Sequence, residues 1–167
     1  MGSKGYTLVE LMVAIAILGI VSAYAVPSFK QIISNKGVSS TANDLVTILK
    51  YARSEAIRRG DWVYVSPVDS ESTVDEWGSG VRVWSDDDQN EKYQSSEELR
   101  VVKFDQHSIS INVTGDDGEF YFNPRGELAV TSDVNAIVCD SSNKNIGRQI
   151  AILNSGLVSV NTNYSCL

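Results

Sequence analysis

GYTLVELMVAIAILGIVSAYAVP, residues 5–27, is the stretch from which the fold is read. From Tyr6 to Val26 it carries one charged side chain, Glu10, in a run of apolar and small residues. About 20 such residues, each rising about 1.5 Å, cross the hydrocarbon of a bilayer as a helix. The composition therefore predicts a membrane-crossing helix over residues 6–27. The residues in front, MGSKG, are few and polar, and a peptidase could remove them without touching the helix. A secretory signal peptide would place its cleavage site after the apolar run, not before it.

Two features inside the run call for a reason. A carboxylate at mid-membrane costs about 2.5 to 3.5 kcal/mol on insertion scales, so Glu10 is expected to have a partner and a purpose. Pro27 lacks the N–H that the Ala23 carbonyl would accept, and Gly19 is a second weak point, so the helix is expected to bend or loosen near Pro27. An amphipathic continuation is expected over residues 28–60. Ala42, Leu45, Val46, Leu49, Ala52, Ala56 and Ile57 recur at three-to-four-residue spacing, with Asp44, Lys50, Arg53 and Arg58 between them. Ser40 or Thr41 could cap a restart after Gly37, Arg58 and Arg59 suit the negative end of the helix dipole, and Gly60 is placed to end it.

From Asp61 the apolar period changes to two. Residues 62–65, 81–84, 99–104, 108–113, 119–122, 136–138, 149–153 and 157–160 read as strands divided by Gly, Asn, Asp and Ser. Asn123-Pro124-Arg125-Gly126 fits a tight turn, and Asn154-Ser155-Gly156 fits a hairpin. A helix first and antiparallel strands afterwards make an α+β fold, with the amphipathic half of the helix packed on a β-sheet domain over residues 61–167.

The 167 residues suffice for one compact domain beside the anchor. A formal charge of −7 argues against wholesale binding to nucleic acid or anionic lipid, although a local basic patch is compatible with it. The two cysteines, Cys139 and Cys166, have no Cys-x-x-Cys spacing. One disulfide in an oxidising compartment is the economical reading, with two free buried thiols as the alternative.

Gly5-Tyr6-Thr7-Leu8-Val9-Glu10, followed by Gly19 and Pro27, resembles the class III signal of type IV prepilins and pseudopilins. The resemblance implies cleavage by a prepilin peptidase after Gly5, which makes residues 1–5 a leader, and methylation of the new amine on Tyr6; the family usually has Phe at that position. It also supplies a partner for Glu10. The cationic N-terminus of a neighbouring subunit would pair with the carboxylate, so that docking in a fibre joins two charges that are each unfavourable alone. The later features deepen the likeness. A helix ending Ala-Arg-Ser-Glu-Ala-Ile-Arg-Arg-Gly (residues 52–60), Trp77-Gly-Ser-Gly-Val81, an acidic loop, Phe122-Asn-Pro-Arg-Gly126 and a C-terminal hairpin look in order like the GspH/FimT group of minor pilins and pseudopilins. Secretion pseudopilins of that group generally lack a C-terminal disulfide, so the cysteines favour a pilus subunit of the FimU/FimT kind.

Three constellations invite chemistry. Asp86, Asp88, Asn90 and Glu97 stand at the first, third, fifth and twelfth places of a calcium-loop pattern, although Glu91 occupies the place where the sharp turn wants Gly. A solvated hairpin loop is the competing reading. Some competence pilins resembling this chain carry Gly-Arg-x-Arg to contact DNA phosphates. Here Gly147-Arg148-Gln149-Ile150 lacks the second Arg, leaving Lys144 and Arg148 as a small patch. His107, with Asp105 and Ser108 near it in sequence, does not form a triad on a strand, where neighbours point to opposite faces.

The sequence is thus expected to encode a minor pilin, not an enzyme, with no cofactor. By that resemblance it would span the inner membrane once, hold its C-terminal domain in the periplasm, and then join a type IV pilus near the tip and prime its assembly for twitching or adhesion. Its partners would be other minor pilins, the major pilin, the prepilin peptidase and inner-membrane lipid. A type II secretion pseudopilin and a DNA-binding competence pilin are the alternatives.

Overall fold

The computed structural model describes residues 5, 7–68, 77–90, 92–104, 109–114, 119–130, 133–142 and 145–166. The α+β order holds: one helix, α1 (Leu8–Arg59), is followed by β1 (Val63–Pro67), β2 (Gly80–Ser85), β3 (Glu98–Lys103), β4 (Ile109–Thr114), β5 (Phe120–Phe122), β6 (Val134–Asp140), β7 (Gly147–Ile152) and β8 (Val158–Tyr164). Each strand coincides with an apolar alternation in the sequence. The chain divides into two compact units, Met1–Ser34 and Asn35–Leu167, and the division falls inside α1.

In the first unit the helix is mostly apolar, and none of its described side chains is buried. Leu8, Leu18, Ile20 and Phe29 are each more than half exposed. By length and composition this part of α1 is sufficient to cross a membrane. The helix is not broken at Gly19 or Pro27. Next to the proline, the Ser28 hydroxyl donates to the Tyr24 carbonyl at 3.2 Å, a back-bond along the helix.

In the second unit the helix carries a buried stripe, Val38, Ala42, Leu45, Leu49, Ala52 and Ala56, whose alternating four- and three-residue steps keep it on one face. Two of the expectations are corrected here. The helix does not restart at Ser40 or Thr41 but runs on through Gly37, because Val38 and Ala42, which follow it, are buried in the core and hold the turn in place. Ile57 falls just off the stripe and is 52% exposed. The C-terminus is as expected: Gly60 and Asp61 both donate to the Ala56 carbonyl, at 2.9 and 3.3 Å.

The strands form two antiparallel four-stranded sheets, ordered β3-β2-β1-β5 and β4-β6-β7-β8. Val63, Val65, Val81, Val83 and Phe122 from the first sheet and Val134, Val138, Ile150 and Ile152 from the second join the helical stripe in one core. The alternation in β6 is complete, with Val134, Ala136, Val138 and Asp140 buried and the residues between them half-buried.

Arg53 ties the helix to both sheets. Its Nε donates to the Gly126 carbonyl at 2.9 Å and its Nη2 to the Ser155 carbonyl at 3.1 Å. Those carbonyls belong to the turn after β5 and to the β7–β8 hairpin, the two turns read from the sequence. The turns touch each other, and a Cβ on Gly156 would collide with the Gly126 carbonyl. A shorter link joins the same segments, Leu128 N–H to the Asn154 carbonyl at 2.9 Å.

Candidate functional sites

The first site is the start of α1. Thr7 caps the helix: its Oγ1 accepts from Glu10 N–H at 3.3 Å, and its carbonyl accepts from Leu11 N–H at 3.2 Å. Glu10 is exposed in the first turn, where the positive end of the dipole favours a carboxylate. Thr7-Leu8-Val9-Glu10 matches the capping-box spacing, a signal in the sequence that a leader reading alone passes over. Gly5 is exposed with open space around it. Tyr6 lies outside the described residues.

The second site is the β2–β3 connection. Carboxylate oxygens of Asp86, Asp88 and Glu97 lie within 4.8 Å of one another. Asn90 braces the other two aspartates: its N–H donates to Asp86 Oδ1 at 3.0 Å and its Nδ2 to Asp88 Oδ2 at 2.8 Å. Gln94 Nε2 also donates to Asp88 Oδ2, at 2.6 Å. Glu97 is buried, and its Oε1 accepts from the N–H groups of Asp87 and Asp88 at 3.0 and 3.4 Å. Glu91 lies outside the described residues.

Beside this loop an aromatic cluster covers the outer face of the first sheet. Tyr64 stacks on the buried Trp84 with ring centres 4.3 Å apart, Tyr121 lies 5.2 Å from Tyr64, and Trp62 meets Tyr121 edge-on at 5.4 Å. Tyr93 leans edge-on against Trp84, takes the Arg82 guanidinium over its ring at 3.8 Å, and donates to Glu98 Oε2 at 2.7 Å. That bond to a carboxylate holds the Tyr93 phenol above its ordinary pKa. Trp77 and Trp84 are buried, as packing residues are, whereas Trp62 is 42% exposed. Trp62 lines an open cleft of about 460 Å³ with Asp61, Tyr64, Asp86, Gln89 and Tyr121.

The third site is the Gly147-Arg148 pair, and both residues have structural work. Cys139 and Cys166 are joined, with Cα atoms 6.1 Å apart, so the economical reading of the cysteines holds. Cys139 of β6 and Tyr164 of β8 both pair with Gly147 of the intervening β7, so the bridge passes over that strand at its glycine. A Cβ on Gly147 would run into Cys166 Sγ and the Tyr164 carbonyl. Arg148 donates through Nη2 to Asn35 Oδ1 at 2.9 Å and Ser39 Oγ at 3.2 Å, and through Nη1 to the Gly147 carbonyl at 2.8 Å. Its guanidinium is therefore occupied in tying β7 to α1. Lys144, Asp105, His107 and Ser108 lie outside the described residues.

Sequence reasoning missed the Arg53 clamp, because its acceptors lie 73 and 102 residues away and leave no local pattern. It also passed over Glu55, a buried carboxylate on the helix held by Arg58 and Arg59. The Arg58 hydrogen bond, with help from Arg59, keeps its pKa below the usual carboxylate value despite burial.

The family model described as type II transport protein GspH matches residues 41–156, and that of the prokaryotic N-terminal methylation motif matches residues 1–26. A fimbrial protein of Pseudomonas aeruginosa is 33% identical over 72 residues, 43% of this chain and 46% of that one. The pilin-like protein PilA1 of Thermus thermophilus is 29% identical over 106 residues, 64% of this chain and 63% of its own. The chain thus spans a little under half the length of the fimbrial relative. Among solved structures, the type IV minor pilin FimU of P. aeruginosa superposes with a TM-score of 0.62 at 20% identity, over 78% of this chain and 95% of FimU. The minor pseudopilin EpsH of the Vibrio cholerae type 2 secretion system gives 0.55 at 10% identity, over 75% and 96%. At those identities the likeness is one of fold.

Proposed function

The chain belongs to the GspH family of minor pilins and pseudopilins, and from that premise we propose that it is a type IV minor pilin that enters the pilus fibre near its tip and primes assembly. Membership of this structural family accords with a role in assembly, not turnover. The observation that carries the proposal is the first unit of α1, an apolar helix with no buried side chain among its described residues, overlapped by the N-terminal methylation motif over residues 1–26. Such a surface is stable in lipid or against other helices of its kind, and a fibre subunit needs both in succession.

On this reading the prepilin peptidase cleaves after Gly5, Tyr6 becomes the methylated N-terminus, and residues 6–27 anchor the chain in the inner membrane with the β-sheet domain in the periplasm. In the fibre Glu10 pairs with the amine of an adjacent subunit and sets the axial register, while Gly19 and Pro27 lower the cost of adjusting the helix as it packs. Fibre subunits are then its partners, and twitching or adhesion the outcome. Relatives named as fimbrial proteins support the pilus assignment, as does the Cys139–Cys166 bridge. The likeness in fold to EpsH favours a second reading, a secretion pseudopilin. A DNA-binding role finds less support, since Arg148 is engaged with Asn35 and Ser39.

Mass spectrometry of fibres sheared from the cell surface tests the proposal. The expected result is this chain, beginning at a methylated Tyr6 and carrying the disulfide. Its absence from fibres in which major pilin is plentiful would overturn the pilus assignment in favour of the secretion reading. Incorporation of Glu10→Val at the wild-type level would sink the register role.

A further inference from the structure

The β2–β3 loop gathers negative charge. Asp86, Asp88 and Glu97 bring carboxylate oxygens within 4.8 Å of one another. Like charges at such distances repel; Arg59 lies 3.8 Å from Asp87, and Arg82 3.5 Å from Glu98. Among the described residues, neither Asp88 nor Glu97 takes part in an ion pair.

A second, separate observation concerns Glu97 alone. The residue is 5% exposed, its Oε1 is satisfied by two backbone N–H groups, and its Oε2 is buried with no hydrogen-bond partner among the described residues. Burying a carboxylate oxygen without a donor is costly, and native proteins rarely leave one so. The orphaned oxygen belongs to the carboxylate that faces Asp86 and Asp88.

We propose that Asp86, Asp88 and Glu97 form a binding site for a divalent cation of the calcium type. One ion among the three would remove the repulsion and satisfy Glu97 Oε2 together. The donors are all hard oxygens, with no imidazole or thiolate among them, which selects against zinc and copper. Calcium accepts six to eight oxygens in flexible geometry, including both oxygens of one carboxylate, whereas magnesium requires a near-octahedral shell and keeps its waters. The spacing supports the same assignment, because the three residues occupy the first, third and twelfth places of the loop. Asn90, with its bonds to Asp86 and Asp88, is a positioning residue. Bound here, the ion fastens the β2–β3 loop at its base beside Trp84 and Tyr93. The site stands independently of the pilus assignment.

The test uses the full chain in detergent micelles, freed of metal by a chelator. Calcium chloride is titrated calorimetrically, and terbium is titrated in parallel, with Trp84 and Tyr93 as the sensitising chromophores. The expected result is one calcium per chain with a dissociation constant of about 1 mM or tighter, the range of extracellular calcium modules. Glu97→Gln and Asp88→Asn should each weaken binding at least about tenfold, while Glu98→Gln, outside the cluster, should bind as wild type. Asp88 is exposed, so its variant keeps the test open if Glu97→Gln fails to fold. Absence of saturable calcium heat and of terbium emission at millimolar concentrations would overturn the proposal. So would wild-type affinity in Asp88→Asn, or equal affinity for magnesium.

Discussion

Leu18 and Leu49 lie on one helix, yet the first is 62% exposed and the second is wholly buried. The first unit of α1 is apolar on every side and the second on one stripe, and this difference in pattern divides the work. A stripe specifies one partner and one register, the two sheets of its own chain. A helix apolar all round specifies only an apolar environment, which lipid and neighbouring helices both supply. Stability of the folded domain should therefore depend on one part of α1 and not on the other.

The sharpest way to break this comparison is a matched pair of truncations. Leu49→Ala should cost about 4 kcal/mol by removing buried methyl groups and leaving a cavity. Leu18→Ala should leave domain stability within about 0.5 kcal/mol of wild type. Urea unfolding of the full chain in micelles, followed by the fluorescence of the buried Trp77 and Trp84, measures both, and equal effects would refute the division. Opening the Cys139–Cys166 bridge comes next. By the chain-entropy account a loop of 27 residues contributes about 3.5 kcal/mol, so Cys139→Ser with Cys166→Ser should lower the urea midpoint accordingly. Arg53→Ala should cost about 2 kcal/mol, since it leaves the Gly126 and Ser155 carbonyls without their charged donor.

The smallest expected effect is at Glu55. Its pKa is lowered in the folded state by Arg58, so the stability it contributes is fully present above the ordinary carboxylate value of 4.5. That contribution is lost as pH falls through the lowered folded value. Glu55→Gln should remove about 1 kcal/mol at neutral pH and flatten this part of the acid limb of the stability curve. An unchanged acid limb in the variant would show that Arg58 and Arg59 do not hold the carboxylate.

How far the sequence could be read follows from the range over which each feature is encoded. The eight strands, the helix end at Gly60 and the turns at Gly126 and Gly156 are written in residues a few positions apart, and those patterns survive in the structure. The continuity of α1 through Gly37 is not written locally, because burial of Val38 and Ala42 overrides what a glycine prefers. The division of the strands into two sheets depends on pairings such as β1 with β5, across more than fifty residues, which alternation does not encode. Among the candidate sites, the acidic cluster was legible from spacing, whereas the orphaned Glu97 oxygen required coordinates. Gly147-Arg148 shows the opposite case. A motif suggestive of ligand contact is accounted for by the disulfide that crosses the glycine and by the helix residues that hold the arginine.

The Arg53 clamp has a consequence for how this chain can vary. Arg53 reaches two turns, and Gly156 must lack a side chain because the Gly126 carbonyl that receives Arg53 lies against it. The three positions are remote in sequence, yet a change at one removes the reason for the others. Replacement of the arginine frees the two turns to separate, and a side chain at either glycine deprives the arginine of its acceptors. Drift at this corner of the fold therefore favours joint substitutions over single exchanges.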